Sequence, residues 1–209
     1  MGNHMLDVTV RRRLDPVLVR LARGLQHTGV TPMLLTLGGL VLGLAAAGAA
    51  ALAWWWTALA LWLVSRLLDG LDGPLARLRG GGTAFGGYVD FVADLTVYGA
   101  FVVGCAVGQP DATLPLLVLL LSYYVNGASL LAYSAAAERA RIAAPDERSL
   151  HFTRGLAEGT ETILAHSLFV LLPAQMGLLA WAFSAVVAVT VVQRLVLARR
   201  VLRSAELTA

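Results

Sequence analysis

Long stretches without a charged side chain alternate with short charged segments along this 209-residue chain. The uncharged stretches cover residues 24–65, 95–110, 112–137 and 162–193. A helix that crosses the hydrocarbon core of a bilayer needs about 20 apolar residues, so these stretches hold several crossings. The pattern therefore predicts an all-α polytopic membrane protein.

Turn-forming residues divide the apolar stretches into six predicted transmembrane helices. Pro32 follows Thr31 at the start of the first, where a missing backbone donor costs nothing, and three tryptophans from Trp54 are typical of a membrane interface. The predicted spans are about 31–52, 54–78, 85–107, 114–139, 155–172 and 178–200. Ahead of them, residues 6–24 place Leu and Val at helical spacing among arginines, which predicts an amphipathic helix on the membrane surface.

The arginines determine the predicted orientation and support the weakest span, the fifth. All 16 basic residues are Arg, and with the N-terminus inside, every one of them falls on the inner side. The three outer turns carry none. Cytoplasmic segments are enriched in basic residues, and this rule is satisfied here only by an even number of spans. Six spans are therefore favoured over five.

Composition agrees with a single membrane domain. Hydrophobic residues make up 58% of the chain and charged residues 14%, whereas soluble domains have about 25% charged residues. Residues 1–5 are expected to be an expression remnant, and residues 6–209 one domain. The single Cys105 lies in an apolar run and excludes a disulfide framework. We expect an integral protein of a bacterial or archaeal cell membrane, without a nucleic-acid partner.

Four aspartates lie where the apolar spans approach the inner surface: Asp69, Asp72, Asp90 and Asp94. Carboxylates close to a membrane core cost several kcal/mol each unless they are paired or bind a cation, so they indicate function. Asp69 and Asp72 share one helix face, while Asp90 and Asp94 stack at i and i+4 on the next helix. A short glycine-rich hairpin joins these helices, so the two acidic faces can meet. Converging oxygen donors predict hard divalent cations, Mg²⁺ or Mn²⁺.

These residues carry a resemblance to a known family. The segment from Asp69 to Arg77, then eight residues, then the segment from Gly86 to Asp94 resembles the signature of the CDP-alcohol phosphotransferases, D-x-x-D-G-x-x-A-R, eight residues, G-x-x-x-D-x-x-x-D. All eight fixed positions are present at the family spacing. The resemblance covers the whole plan of six helices preceded by an amphipathic helix.

The resemblance implies a role for each signature residue. The metal ligands, for two ions in this family, would be Asp69, Asp72, Asp90 and Asp94, and Asp94 would also be the general base. The cytidine and diphosphate would be bound by Asp69, Gly73, Ala76, Arg77 and Gly86. The acceptor hydroxyl would attack the phosphorus that bears the donor alcohol and release CMP, with no covalent protein intermediate. The physics agrees, because two cations on a diphosphate stabilise charge on the attacking and leaving oxygens.

The acceptor is the least determined part of this prediction. Arg139, Arg154 and Arg194 lie at the inner surface, where an acceptor would enter, but the same arginines are explained equally well by membrane orientation. In the branch of the family that uses inositol phosphate, cations occur around the fourth and fifth helices at positions where this chain has Ala135, Ala136 and Gly159. This departure predicts that a phosphorylated inositol is a poor acceptor.

The expected function is a phospholipid-synthesising transferase that uses a donor such as CDP-diacylglycerol and a small polar alcohol, within membrane lipid and with its site facing the cytoplasm. A soluble CDP-alcohol donor with a lipid acceptor is the alternative within the family. Outside it, an ion-coupled transporter would spread carboxylates through the membrane depth on repeated helices, and a non-catalytic homologue would have lost an aspartate. A homodimer is left open.

Overall fold

A computed structural model describes the backbone of residues 6–139 and 159–208, and the side chains of residues 15–139 and 159–203. This part of the chain contains helices and connecting turns and no strand. The α-helices are α1 (Leu6–Leu25), α2 (Pro32–Ala51), α3 (Trp55–Leu78), α4 (Ala84–Gly108), α5 (Thr113–Arg139), α6 (Gly159–Leu171) and α7 (Met176–Thr208). Single 3-10 turns, Pro110–Ala112 and Pro173–Gln175, precede α5 and α7. The all-helical class predicted from the sequence is confirmed.

Within the described residues, four helical segments are long and apolar enough to cross a membrane: Pro32–Ala51, Ala84–Gly108, Pro110–Arg139 and Pro173–Arg203. Helix α3 has the length, but it carries four charged side chains from Arg66 onward. The described part of α6 has 13 residues, which at 1.5 Å per residue is roughly 20 Å, shorter than a hydrocarbon core of about 30 Å. The residues predicted to begin this span, 155–158, lie outside the described part. Six crossings therefore stay a prediction.

Helix ends agree with the predicted ones to within about two residues, except for the fifth and sixth spans. Thr31 caps α2 by accepting a hydrogen bond from the amide of Leu34, and proline follows it as expected. Helix α7 continues to Thr208, well beyond the predicted end near residue 200. The predicted end coincides with the arginines at positions 199 and 200, but arginine is a good helix former and does not terminate a helix.

Helix α2 packs against α3 and α4 at very short range because small residues face one another. A Cβ on Gly104 or Gly108 would collide with the carbonyl groups of Ala47 or Ala50 on α2. A Cβ on Gly43 would lie 2.5 Å from Val97 of α4. Small residues permit such close approach between helices in membranes. The three helices that carry or support the aspartates are thereby held in one compact group.

A buried aromatic cluster joins this group to α6. The Trp62 ring packs on Phe101 and on His166, with centroids 4.6 Å and 4.9 Å apart. His166 is fully buried, and its Nε2 lies 3.0 Å from the Tyr123 hydroxyl of α5. This surrounding agrees with a hydrogen-bonded structural role for His166. The cluster therefore links α3, α4, α5 and α6 at a level farther from the α3–α4 hairpin than the acidic residues.

Helix α1 docks on the first turns of α2 and the last turns of α3. Ala22 of α1 is buried together with Leu35, Leu71 and Leu75. The Arg79 guanidinium, directly after α3, donates hydrogen bonds to the carbonyls at the end of α1, those of Leu25, Gln26 and Thr28. Helix ends leave such carbonyls without intrahelical partners, so Arg79 satisfies them. The helix predicted at residues 6–24 exists, whereas its position on a membrane surface stays a prediction.

Candidate active site

A tight hairpin between α3 and α4 brings the signature residues together. Gly80 and Gly81 have φ angles of +101° and +111°, a region that glycine enters without the strain other residues incur. Thr83 then caps α4, because its hydroxyl accepts a hydrogen bond from the amide of Gly86 at 3.0 Å. The end of α3 and the start of α4 therefore face each other across their acidic side chains, and both helices pack against α2.

Three of the four predicted aspartates converge in this hairpin. Asp69, Asp72 and Asp90 each offer a carboxylate oxygen, and these oxygens all lie within 4.8 Å of one another. Asp72 is buried, while Asp69 and Asp90 are partly accessible. Hard oxygen donors at this spacing suit Mg²⁺ or Mn²⁺. The donor set of this chain thus fits the metal that the sequence predicted.

Asp72 is held by a residue of a third helix. The hydroxyl of Thr36 on α2 lies 2.6 Å from Asp72 Oδ2 and 3.2 Å from the carbonyl of Pro32 in its own helix. A hydroxyl has a single proton, so we assign the bond to the shorter, charged acceptor. Both partners are buried. Thr36 was not predicted, because a lone threonine in an apolar helix gives no sequence signal of the partner it meets.

Asp94 lies next to the three converging aspartates and has a different partner. Its Oδ1 accepts a hydrogen bond of 2.6 Å from the guanidinium of Arg66. The same Arg66 nitrogen is 3.7 Å from Asp69 Oδ2. The sequence predicts four carboxylates at one site. In the structure three of them converge, and the fourth, Asp94, forms an ion pair with Arg66 beside them.

Arg66 is the second residue that the sequence did not single out. It was assigned to membrane orientation alone, although it lies one turn before Asp69 on α3. Its side chain is only 4% exposed. A charge at the end of an apolar run and at i−3 from a signature aspartate is the signal that could have identified it.

The remaining signature residues lie near the aspartates on the same two helices. A Cβ on Gly73 would lie 3.4 Å from a guanidinium nitrogen of Arg77, so the Arg77 side chain passes over this glycine. Arg77 is exposed, and Ala76 and Gly86 are partly accessible. The structure thus places these predicted nucleotide-binding positions at the hairpin, and their role stays a prediction.

The two predicted acceptor residues that the structure describes, Arg139 and Arg194, differ in burial and in surroundings. Arg194 of α7 is buried, and its guanidinium donates to Asn126 Oδ1 at 2.8 Å and Ser129 Oγ at 2.9 Å on α5. Arg139 is exposed at the last residue of α5. Arg154 lies outside the described residues. Of the three arginines, Arg194 is therefore the one that the structure places inside the helix bundle.

Comparison with known sequences identifies related proteins. A sequence profile of the CDP-alcohol phosphatidyltransferases matches residues 29–192. Inner membrane protein YnjF of Escherichia coli K12 is 39% identical over 173 residues, which are 81% of this chain and 84% of that protein. A phosphatidylinositol phosphate synthase of Mycobacteroides abscessus is 39% identical over 90 residues, 40% of this chain and 39% of that enzyme.

Solved structures share the fold. Crystal structures of the Mycobacterium tuberculosis phosphatidylinositol phosphate synthase PgsA1 superpose with TM-scores of 0.67 for the form with CDP-DAG bound and 0.68 for the complex with manganese and citrate. Sequence identity is 24% and 23%. The matches cover 86% and 87% of this chain, and 92% and 88% of the two PgsA1 chains. At this identity the likeness shows a common fold.

Proposed function

The chain belongs to the CDP-alcohol phosphatidyltransferase family, and on that premise we propose that it transfers a phosphatidyl group from CDP-diacylglycerol to a polar alcohol and releases CMP. Membership makes it a membrane phosphotransferase of phospholipid synthesis. The observation that carries the proposal is the convergence of Asp69, Asp72 and Asp90, with Asp94 beside them, at the hairpin that bears the whole signature.

A lipid donor is supported by the shared fold. PgsA1 of Mycobacterium tuberculosis has been crystallised with CDP-DAG bound, and its helices match most of this chain. The hairpin here lies at the charged ends of α3 and α4, where an amphiphilic donor could keep its acyl chains among apolar helices. A soluble CDP-alcohol would not need such a position. We therefore place CDP-diacylglycerol ahead of a soluble donor.

Divalent metal ions are part of the proposal. Asp69, Asp72 and Asp90 would hold them, because their carboxylate oxygens are close enough to share a cation. PgsA1 has been crystallised with manganese. A bound pair of Mg²⁺ or Mn²⁺ ions would neutralise the diphosphate. It would also stabilise the charge that develops on the attacking and leaving oxygens. Because the donor diphosphate is itself anionic, the converging carboxylates could not bind it without such cations.

The protein groups would then bind the donor and move one proton. Arg77, passing over Gly73, offers a planar cation to the diphosphate, while Gly73 and Ala76 leave room on that helix face. Asp94 would accept the proton of the acceptor hydroxyl as its oxygen forms a bond to the phosphatidyl phosphorus. The bond from that phosphorus to the bridging oxygen breaks, and CMP leaves with the electron pair.

We propose an uncharged or zwitterionic alcohol as the acceptor. The positions where cations would bind the phosphate of inositol phosphate hold Ala135, Ala136 and Gly159, and Arg194 is already bonded to Asn126 and Ser129. Each charge-assisted hydrogen bond contributes roughly 1.5–3 kcal/mol. Two missing contacts would therefore weaken inositol phosphate binding by about 3–6 kcal/mol, more than about a hundredfold.

We also propose that α2 to α7 cross the membrane as six helices, with the hairpin facing the cytoplasm. The support is the distribution of arginine, since the connections after α2, α4 and α6 contain none. Helices α3 and α6 would cross as members of the bundle. The charged side chains of α3 face α4, and the buried face of α6 packs on α3 and α7. A transporter is disfavoured, since the carboxylates lie at one end of adjacent helices.

Release of CMP from purified protein tests the proposal. CDP-diacylglycerol is supplied with a panel of alcohols that includes inositol phosphate, and Asp69→Ala serves as the inactive control. We expect CMP in a metal-dependent reaction with an uncharged or zwitterionic alcohol. A second arm supplies a soluble CDP-alcohol with diacylglycerol. CMP only in that arm would replace the donor, inositol phosphate as the best acceptor would overturn the acceptor class, and no CMP in either arm would refute the transferase.

A further inference from the structure

We propose that Arg66 is a positioning residue that fixes Asp94 by one carboxylate oxygen and leaves the other oxygen to take the acceptor proton. The inference rests on the proposed function, in which Asp94 is the base. It assigns a role to an arginine that lies outside the family signature. The ion pair joins α3, which carries Arg66, to α4, which carries Asp94.

Distance and burial distinguish this ion pair from a surface salt bridge. The Arg66 nitrogen lies 2.6 Å from Asp94 Oδ1, within the range of a charge-assisted hydrogen bond. The Arg66 side chain is 4% exposed, while that of Asp94 is 30% exposed. The cation is therefore enclosed, while the Asp94 side chain stays partly accessible to a molecule entering the hairpin.

The guanidinium is held in place from several sides. It lies over the rings of Trp62 and Tyr98, 5.1 Å from each centroid. Its other terminal nitrogen donates to Ser65 Oγ at 3.0 Å, and that hydroxyl donates to the carbonyl of Gly39 at 2.7 Å. Trp62 in turn packs within the buried aromatic cluster described above. Arg66 therefore offers Asp94 a fixed partner.

A fixed partner matters for a base because proton transfer requires the receiving oxygen at a defined place. With Oδ1 bonded to Arg66, Asp94 cannot rotate freely, and Oδ2 is the oxygen left for a hydroxyl. This bond involves none of the three carboxylates that converge. Arg66 also lies 3.7 Å from Asp69, where its positive charge repels a metal cation. Removing Arg66 should therefore slow turnover without weakening metal binding.

Arg66→Met, which keeps an unbranched apolar stem and removes the guanidinium, tests the proposal together with Arg66→Lys. Two quantities are measured on protein in nanodiscs, Mn²⁺ binding by titration of the free ion and the kinetics of CMP release. We expect kcat of Arg66→Met to fall at least about tenfold, with KM for the donor changed less than about threefold. Mn²⁺ should bind no more weakly than to wild type, and Arg66→Lys should recover part of kcat.

A double-mutant cycle with Asp94→Asn shows whether Arg66 acts through Asp94. If it does, Arg66→Met should slow the Asp94→Asn protein by less than about twofold, because the group that it positions is already lost. Equal slowing in both backgrounds would overturn the proposal. So would Mn²⁺ binding that weakens in parallel with kcat in both Arg66 variants, since that is the mark of a general loss of structure.

Failure of the inference can be told from failure of the proposed function. Wild-type turnover in both Arg66 variants would refute the positioning role and leave the transferase standing. An absence of CMP from the wild-type protein would refute the transferase, and with it the role of Asp94 as its base. Arg79→Met is the matched control, because Arg79 bonds α1 carbonyls instead of a carboxylate. It should lower thermal stability without changing Mn²⁺ affinity.

Discussion

Replacing Thr36 by valine should impair the metal site through one lost hydrogen bond. Valine keeps the shape of the side chain but removes the hydroxyl that lies 2.6 Å from Asp72 Oδ2. Both residues are buried, so water cannot easily replace the missing donor. A hydrogen bond to a charged group contributes about 1.5–3 kcal/mol, and each 1.4 kcal/mol is a factor of ten. Thr36→Val should therefore weaken Mn²⁺ binding by about 10- to 150-fold.

The assay is the dependence of CMP release on Mn²⁺ concentration, with direct Mn²⁺ binding as the second measurement. Saturating metal should restore most of the turnover in Thr36→Val, and Thr36→Ser should stay close to wild type. Thr96→Val is the control, because the Thr96 hydroxyl donates to the carbonyl of Val92 in its own helix. An unchanged Mn²⁺ requirement in Thr36→Val would refute the idea that this bond orients Asp72.

Three further experiments address other parts of the molecule. Asp94→Asn should reduce turnover at least about a hundredfold while sparing donor binding, and a rate above a tenth of wild type in the CMP assay would contradict its role as base. Gly104→Ala should destabilise the protein by about 1–3 kcal/mol in thermal unfolding, because its Cβ would meet the α2 backbone, whereas Gly127→Ala on α5 has open space and should not. Cysteines placed at 109–111 and 173–177 should be labelled only from the outer side, and cytoplasmic labelling of either turn would overturn six crossings.

The sequence predicted most of the fold because its signals are local. Charge-free stretches, Pro32 and the hairpin glycines mark helices and their ends without knowledge of any contact. The two acidic pairs could also be expected to meet, since a short hairpin leaves few other arrangements. The late end of α7 was missed because arginines at a membrane surface do not stop a helix.

The partners of the aspartates could not be predicted, because they depend on how neighbouring helices are rotated against each other. Thr36 reaches Asp72 across 36 residues, and Arg66 reaches Asp94 across 28 residues. Helical spacing places Asp90 and Asp94 on one face of α4, where the sequence predicts both near the metals and Asp94 as the base as well. The structure adds the partner of each: Arg66 bonds Asp94, whereas Asp90 converges with Asp69 and Asp72.

The bonds of Arg79 to the end of α1 also impose an order on biosynthesis. The ribosome adds Thr28 to the chain 51 residues before it adds Arg79. At about 5–20 residues per second, this is a delay of roughly 3–10 s. During that interval α1 has neither its arginine nor the leucines of α3 to dock on. Helix α1 is thus translated before α3 but can dock in its final place only after α3 and Arg79 have been made.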